Sequence, residues 1–234
     1  MKVMLVFPPQ WTPAMPHLAL PALSSWLRVN GVTVVQRDLN IETYDAILTR
    51  QHLEHALARL RQDYGADGRR RPSRPVLPPR ERVQRALREG PRLAARIDAA
   101  VQTVRSDAFY DGPTGLAAAE TILDALELAS LPFFPASLEL TTLRAPAPVD
   151  SSQRLLQLAR DAQANMFLPL FRRGILADIT REQPDIVGIS IATMEQVLAA
   201  MTLAQLIKQA GLTCHVTVGG PHVSMLREQL PRVP

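Results

Sequence analysis

A chain of 234 residues with 47% apolar side chains is long enough to bury a sizeable core, as one large domain or as one domain with a substantial insertion. Its formal charge of +4 is carried almost wholly by arginine, Lys2 and Lys208 being the only lysines, and is too small to argue for a polyanionic partner. The single cysteine, Cys214, excludes an intramolecular disulfide framework, a multi-cysteine zinc site and a cysteine-ligated iron–sulfur cluster within the chain.

The start, MKVMLVFPP, is too short for a secretory segment and ends in a proline pair rather than small residues. No later run is long and apolar enough to span a membrane, so a soluble, cytoplasmic protein with no membrane partner is expected. Val3 to Phe7 is a continuous apolar run and predicts a first strand, buried on both faces. From His17 to Asn30, Leu20, Leu23 and Leu27 recur at helical spacing, with Gly31 placed to end the helix in the left-handed region. Val32 to Gln36 is β-branched and predicts the second strand.

Residues 42–181 then interrupt the pattern. Leu53, Leu57, Leu60 and Tyr64 mark one helix; GRRRPSRPVLPP is a basic, proline-broken linker. Val83, Leu87, Ile97, Val101 and Val104 mark a helical region restarted at Gly90–Pro91, and a further helix surrounds Leu116, Leu123 and Leu126. The stretch from Leu131 to Val149 should be irregular, ahead of a last helical pair between Leu155 and Ile179. The whole is a helical insertion, too long for a loop. Its arginines at 69–71, 74, 80, 82, 85 and 88 have no aromatic residues interleaved for base stacking and read as a solvated face.

The sheet pattern resumes with Ile186 to Ile191, a helix from Met194 to Ala210 ended by Gly211, and His215 to Val218. Cys214, opening that last strand, reads as a small core residue. The reading is therefore a flavodoxin-like, doubly wound parallel α/β sheet of order 2-1-3-4, a fifth strand missing, with its first half in 1–41, the insertion in 42–181 and its second half in 182–234. Such a fold places a ligand crevice at the carboxyl ends of strands one and three.

The usual occupants of that crevice fail at the residue level. The first turn, FPPQWTPAMPHL, has no glycine and cannot hold a dinucleotide or a P-loop phosphate. The strand ends offer Pro8, Pro9, Ser190 and Thr193 in place of the carboxylates of a magnesium site, and Ser190 in G-I-S-I-A lacks the second glycine of a nucleophile elbow. No catalytic residue and no metal ligand is assigned. What remains is the small polar segment SIAT after strand three and Gly219–Gly220 after strand four, one strand apart on the carboxyl edge. Together they make a shallow shelf where something broad and flat can approach backbone, unless the glycines serve only a sharp turn.

Twenty-six residues separate Ala192 from Gly219, and a serine, any residue, a small residue or leucine, then about 26 to 28 residues and a glycine pair resembles the signature of cobalamin-binding domains. The ordered set KVMLVFPPQW, PHLALPAL, DLNI, PDIVGISI and VTVGGPHVS resembles the amino-terminal domain of cobalamin-dependent radical S-adenosylmethionine enzymes, over about residues 1–44 and 182–230. The resemblance implies a cobalamin-binding module in which Ser190, Thr193, Gly219, Gly220 and Pro221 line the corrin and its nucleotide tail. It also implies that His222 touches the ring or tail, and that Pro9 and Trp11 stand over the cofactor. The D-x-H-x-x-G motif that supplies an axial histidine is absent, as is the C-x-x-x-C-x-x-C motif of a 4Fe–4S cluster. The expected parent is a radical enzyme, a methyltransferase or related catalyst, whose carboxyl-terminal domain would bring S-adenosylmethionine, the cluster and an unknown small-molecule or peptide substrate. The chain given would be its amino-terminal fragment. Two rival readings stay open: a degenerate domain that docks a partner without cofactor, and a basic nucleic-acid-binding module built on the insertion.

Overall fold

The computed structural model describes residues 1–64, 76–148 and 151–230. In chain order these form β1 (Lys2–Phe7), α1 (Ala19–Val29), β2 (Thr33–Asp38), α2 (Leu39–Ile47), α3 (Arg50–Tyr64), α4 (Arg80–Val104), α5 (Gly112–Ser130), β3 (Ser137–Leu138) and β4 (Leu143–Arg144). There follow α6 (Ser152–Arg160), α7 (Phe167–Arg173), α8 (Ile175–Glu182), β5 (Ile186–Ser190), α9 (Val197–Gln209), β6 (His215–Gly219) and α10 (Pro221–Met225). The chain divides into two compact units, Met1–Thr43 with Ala147–Pro234, and Tyr44–Pro146.

The first unit is built on a parallel four-stranded sheet of order β2-β1-β5-β6, the flavodoxin-like order expected from the sequence. Its central strand explains the sheet. KVMLVF is apolar at alternate positions on both sides, so Val3, Leu5 and Phe7 join Leu20 of α1 and Val34 of β2 in one cluster. Met4, Val6, Val187 and Ile189 turn to the opposite face and are at most 1% exposed. Pro8 and Pro9 stop the strand because neither has an N–H to continue the ladder. α1 and α9 both end at glycines in the left-handed region, Gly31 (φ 75°) and Gly211 (φ 67°).

Residues 147–181 pack with this sheet unit rather than with the helices before them. α6 and α7 lie on α9, where Leu158, Ala159 and Leu198 are buried beneath Ala147, Leu155 and Met201. The apolar residues of α9 are spread too widely around the helix for one sheet face to cover, and α6 and α7 cover the rest. A buried polar contact locks the arrangement: the Asn165 side-chain N–H donates to Thr202 Oγ1 (2.7 Å), and that hydroxyl donates to the Leu198 carbonyl (2.6 Å). The insertion expected over 42–181 is thus, as a compact unit, residues 44–146, and the expected last helical pair is three short helices. On β2 the Arg37 guanidinium pairs with Glu42 and with Asp178 of α8, and it holds the Asp178 carboxyl below the usual carboxylate range.

The second unit is helical, with a two-residue antiparallel pair, β3 with β4, inside the stretch expected to be irregular. α3 buries Leu53, Ala56, Leu57, Leu60 and Tyr64, as its spacing predicts. α4 departs from expectation by running unbroken through Gly90–Pro91 for 25 residues. Gly90 is where it meets its neighbours: a Cβ there would stand 2.6 Å from a Leu57 methyl and 3.3 Å from a Leu128 methyl. Val83 before it, and Ala94, Ile97 and Ala100 after it, are buried, so packing on both sides outweighs the one bond lost at the proline. On α5 the expected leucine stripe is only half right. Leu126 is buried, whereas Leu116 and Leu123 face solvent and Gly115, Ala118, Ile122, Ala125 and Ala129 form the packed side. The arginines at 69–71 and 74 lie outside the described residues.

Candidate functional site

At the carboxyl edge of the sheet, β1 ends in Pro8–Pro9, β5 in Ser190–Ile191 and β6 in Gly219–Gly220. The two glycines differ. Gly220 adopts φ 104°, and a Cβ on it would stand 2.5 Å from the carbonyl oxygen of Ile191 and 2.8 Å from its nitrogen. The loops are tied there by the Ile191 N–H donating to the Gly219 carbonyl (2.8 Å) and the His222 N–H donating to the Ile191 carbonyl (3.2 Å). Gly220 is therefore required by the main chain of the neighbouring loop. At Gly219 an added Cβ would meet nothing within 4 Å.

Register places Gly219 beside Ser190, and puts Ile186, Gly188 and Ser190 of β5 on the same face as His215, Thr217 and Gly219 of β6. Leu5, which pairs with Gly188, belongs to the cluster packed beneath α1, so this is the α1 face. Leu20 and Leu27 of α1 cover the β1 and β2 part of that face. Over β5 and β6 the cover thins: His215 and Thr217 are exposed, Ile186, Gly188 and Gly219 are half-buried, and Gly188 has no side chain to raise the floor. A strip of open sheet results, running up to Ser190, which is itself buried.

The loop after β1 forms one end of this face. Phe7 stacks on His17 (ring centroids 4.6 Å apart, 11° between planes), and Trp11 sets its edge against both, at 6.2 and 5.6 Å. The indole N–H donates to the Met15 carbonyl (2.6 Å), while His17 Nδ1 accepts from the Ala19 N–H (3.3 Å) at the entry to α1. Trp11 and Ala192 both pack on the cluster that contains Phe7, so the β1 and β5 loops share one apolar floor.

The remaining residues singled out from the sequence have identifiable local roles. Thr193 caps the turn into α9 in a capping box, its hydroxyl paired with the Gln196 backbone and the Gln196 side chain with the Thr193 N–H. Pro9 is buried, Pro221 takes the first position of α10, and His222 is half-buried. Ser190, Gly219 and the Trp11 loop thus belong to one face; Thr193 and Gly220 are engaged in holding the loops.

Two buried amides that the sequence reading passed over complete the site. Asn40, 2% exposed, accepts the Trp11 backbone N–H on its Oδ1 (3.0 Å). Gln196, fully buried, accepts the Ala192 and Thr193 N–H groups (2.6 and 3.3 Å) and donates to the Pro8 carbonyl (2.5 Å). For Gln196 a signal existed: T-M-E-Q has capping-box spacing. For Asn40 the only hint was a polar residue amid the apolar positions of DLNI.

Among the described residues, no group of three or more His, Cys, Asp or Glu is placed to hold a metal ion, and no helix is long and apolar enough to cross a membrane. Burial pushes the Cys214 thiol up.

The family model of the B12 binding domain matches residues 153–233. The match starts at α6, close to where the chain rejoins the sheet unit, and contains both the Ser190 loop and the glycine pair. No curated protein and no solved structure matches the chain.

Proposed function

We propose that the sheet unit is a cobalamin-binding module, with the nucleotide tail laid along the open strip beside α1 and the corrin ring over the carboxyl edge. The observation that carries this reading is the uncovered floor at Gly188, Thr217 and Gly219 ending at Ser190, within the residues matched by the B12 binding domain. The residues present fit the group, since the one shelf position free of any neighbour, Gly219, is where a side chain would obstruct a flat ligand. Gly219 and Gly188 keep the floor low, and the Ser190 hydroxyl offers a hydrogen bond at its upper end. Phe7, His17 and Trp11 form an aromatic wall that excludes water, and Gly220 fixes the relative height of the two loops. When bound, cobalamin supplies group-transfer or one-electron chemistry at cobalt. The protein's part is to hold and orient it. By the resemblance of its motifs, the parent activity is a radical S-adenosylmethionine reaction such as methylation. The substrate, S-adenosylmethionine and a 4Fe–4S cluster would be contributed by a further domain.

Titration with hydroxocobalamin, followed by the visible spectrum of the bound corrinoid, tests the reading. Gly219→Val should weaken binding at least about tenfold, or 1.4 kcal/mol, with the denaturation midpoint moving little, because a Cβ at this position meets nothing within 4 Å. A chain that takes up no corrinoid when refolded in excess, or a Gly219→Val variant that binds as well as the unsubstituted chain, would sink it.

The rival in which the insertion binds nucleic acid has less to draw on. Arg82 is paired with Glu127 (3.0 Å), and Arg85 and Arg88 share Glu89 (3.2 and 2.9 Å).

A further inference from the structure

We propose that Gln196 is the positioning residue of this site, acting with Asn40 as a clamp of two buried amides that sets where the Trp11 loop stands. The role assigned toward the cofactor rests on the cobalamin reading; the clamp itself does not.

The need for a clamp follows from the sequence of the loop. Pro8 and Pro9 offer no N–H, so the ladder joining β1 to β5 cannot extend past Phe7, and the Pro8 carbonyl is left without a strand partner. The Gln196 side-chain N–H supplies that partner at 2.5 Å. Its Oε1 meanwhile gathers the Ala192 and Thr193 N–H groups, so one amide joins the β1 loop to the β5 loop. From the other side Asn40, just past β2, takes the Trp11 N–H at 3.0 Å. Gln196 is fully buried and Asn40 is 2% exposed, so water does not compete for these bonds. The loop held between them contains no glycine and carries the indole that packs on Phe7 and His17. Releasing either amide frees Trp11 to leave the aromatic wall.

A purely structural role makes a different prediction, because glutamate serves a capping box as well as glutamine does. Gln196→Glu therefore keeps the helix cap and, when ionised, sets an acceptor against the Pro8 carbonyl in place of the donor. The experiment uses the full chain carrying Trp26→Phe, which leaves Trp11 as the single tryptophan. Acrylamide quenching of Trp11 reads the loop without any ligand, and hydroxocobalamin titration reads the site. At about pH 7.5, Gln196→Glu should raise quenching roughly twofold through local opening of the loop and weaken hydroxocobalamin about tenfold. Lowering the pH to about 5 should reverse both, because the protonated carboxyl can again donate to Pro8. His17, Asp38, Glu195 and His222, the titratable groups of the adjoining segments, are common to all proteins compared, so the readout is the difference from the Trp26→Phe chain. Asn40→Leu, which leaves the cap untouched, should loosen Trp11 similarly at every pH.

Unchanged quenching in both variants overturns the clamp. So does a Gln196→Glu effect that acidification fails to reverse. Raised quenching with unaltered corrinoid affinity keeps the clamp and removes its role toward the cofactor. Absence of corrinoid binding by the Trp26→Phe chain defeats the cobalamin reading alone, since the quenching arm still decides the clamp.

Discussion

A methyl group added to Gly219 would hang in open space, whereas one added to Gly220 would strike the main chain of Ile191. The first glycine borders open space; the second is a steric and conformational requirement of the fold, at φ 104° where side chains are strained. Gly220→Ala should accordingly lower stability by about 1–3 kcal/mol, read as a fall in the denaturant midpoint. An unmoved midpoint would show that the Ile191 loop yields at little cost. The glycine pair as such was visible in VTVGGPHVS, but nothing in those letters told the two residues apart. The distinction depends on the path of a loop from another strand. Ser190 was legible as a strand-end residue, and register then set it beside Gly219. Cys214, read as a core residue, is buried with its thiol pKa pushed up by that burial, which leaves it little nucleophilic character.

Strand and helix positions followed from periodicity wherever side chains were large. β1, β2, β5 and β6 fall within a residue or two of their expected spans, as does α1; α9 starts at Val197, three residues after the expected Met194, and both helices end at the expected glycines. Pattern reading failed where packing is carried by small residues or where a local breaker is overruled. On α5 the packed side joins Ala118, Ala125 and Ala129 to Ile122 and Leu126, and leaves Leu116 and Leu123 outside, because the alanines allow close approach that a leucine stripe alone does not signal. In α4, Gly90–Pro91 signalled a break, yet Gly90 is the close-contact point and the helix continues across Pro91. Pro91 lacks the N–H that would bond the Leu87 carbonyl, so Pro91→Ala should stabilise the chain, by about 1–3 kcal/mol. A thermal melt of the full chain checks this. A lower melting temperature for the alanine variant would show that the proline is needed for the bend or packing of α4.

At the scale of the molecule, α1 presents an apolar outer side. Leu18, Trp26 and Val29 are 75%, 65% and 84% exposed and lie within one arc of the helix. β6 is at the edge of the sheet, and Val218 on it is exposed as well. Edges and apolar patches of this kind promote association. The unsubstituted chain should self-associate as its concentration rises, and Trp26→Ser should shift light scattering toward monomer; a monomer at all concentrations for the unsubstituted chain would remove that expectation. The sequence by itself determined the sheet order, the place of the carboxyl edge and the identity of the two loops that meet there. Each of these depends on hydrophobic period, chain punctuation and the handedness of crossovers, all of which are local or general. Tertiary structure alone decided that residues 147–181 belong with the sheet, that Gly220 serves Ile191 while Gly219 stands clear, and that Asn40 and Gln196 hold the Trp11 loop from either side. Those outcomes depend on which segments, 29 and 188 positions apart in sequence, come within hydrogen-bonding distance, and side-chain pattern along one segment carries no record of its partner.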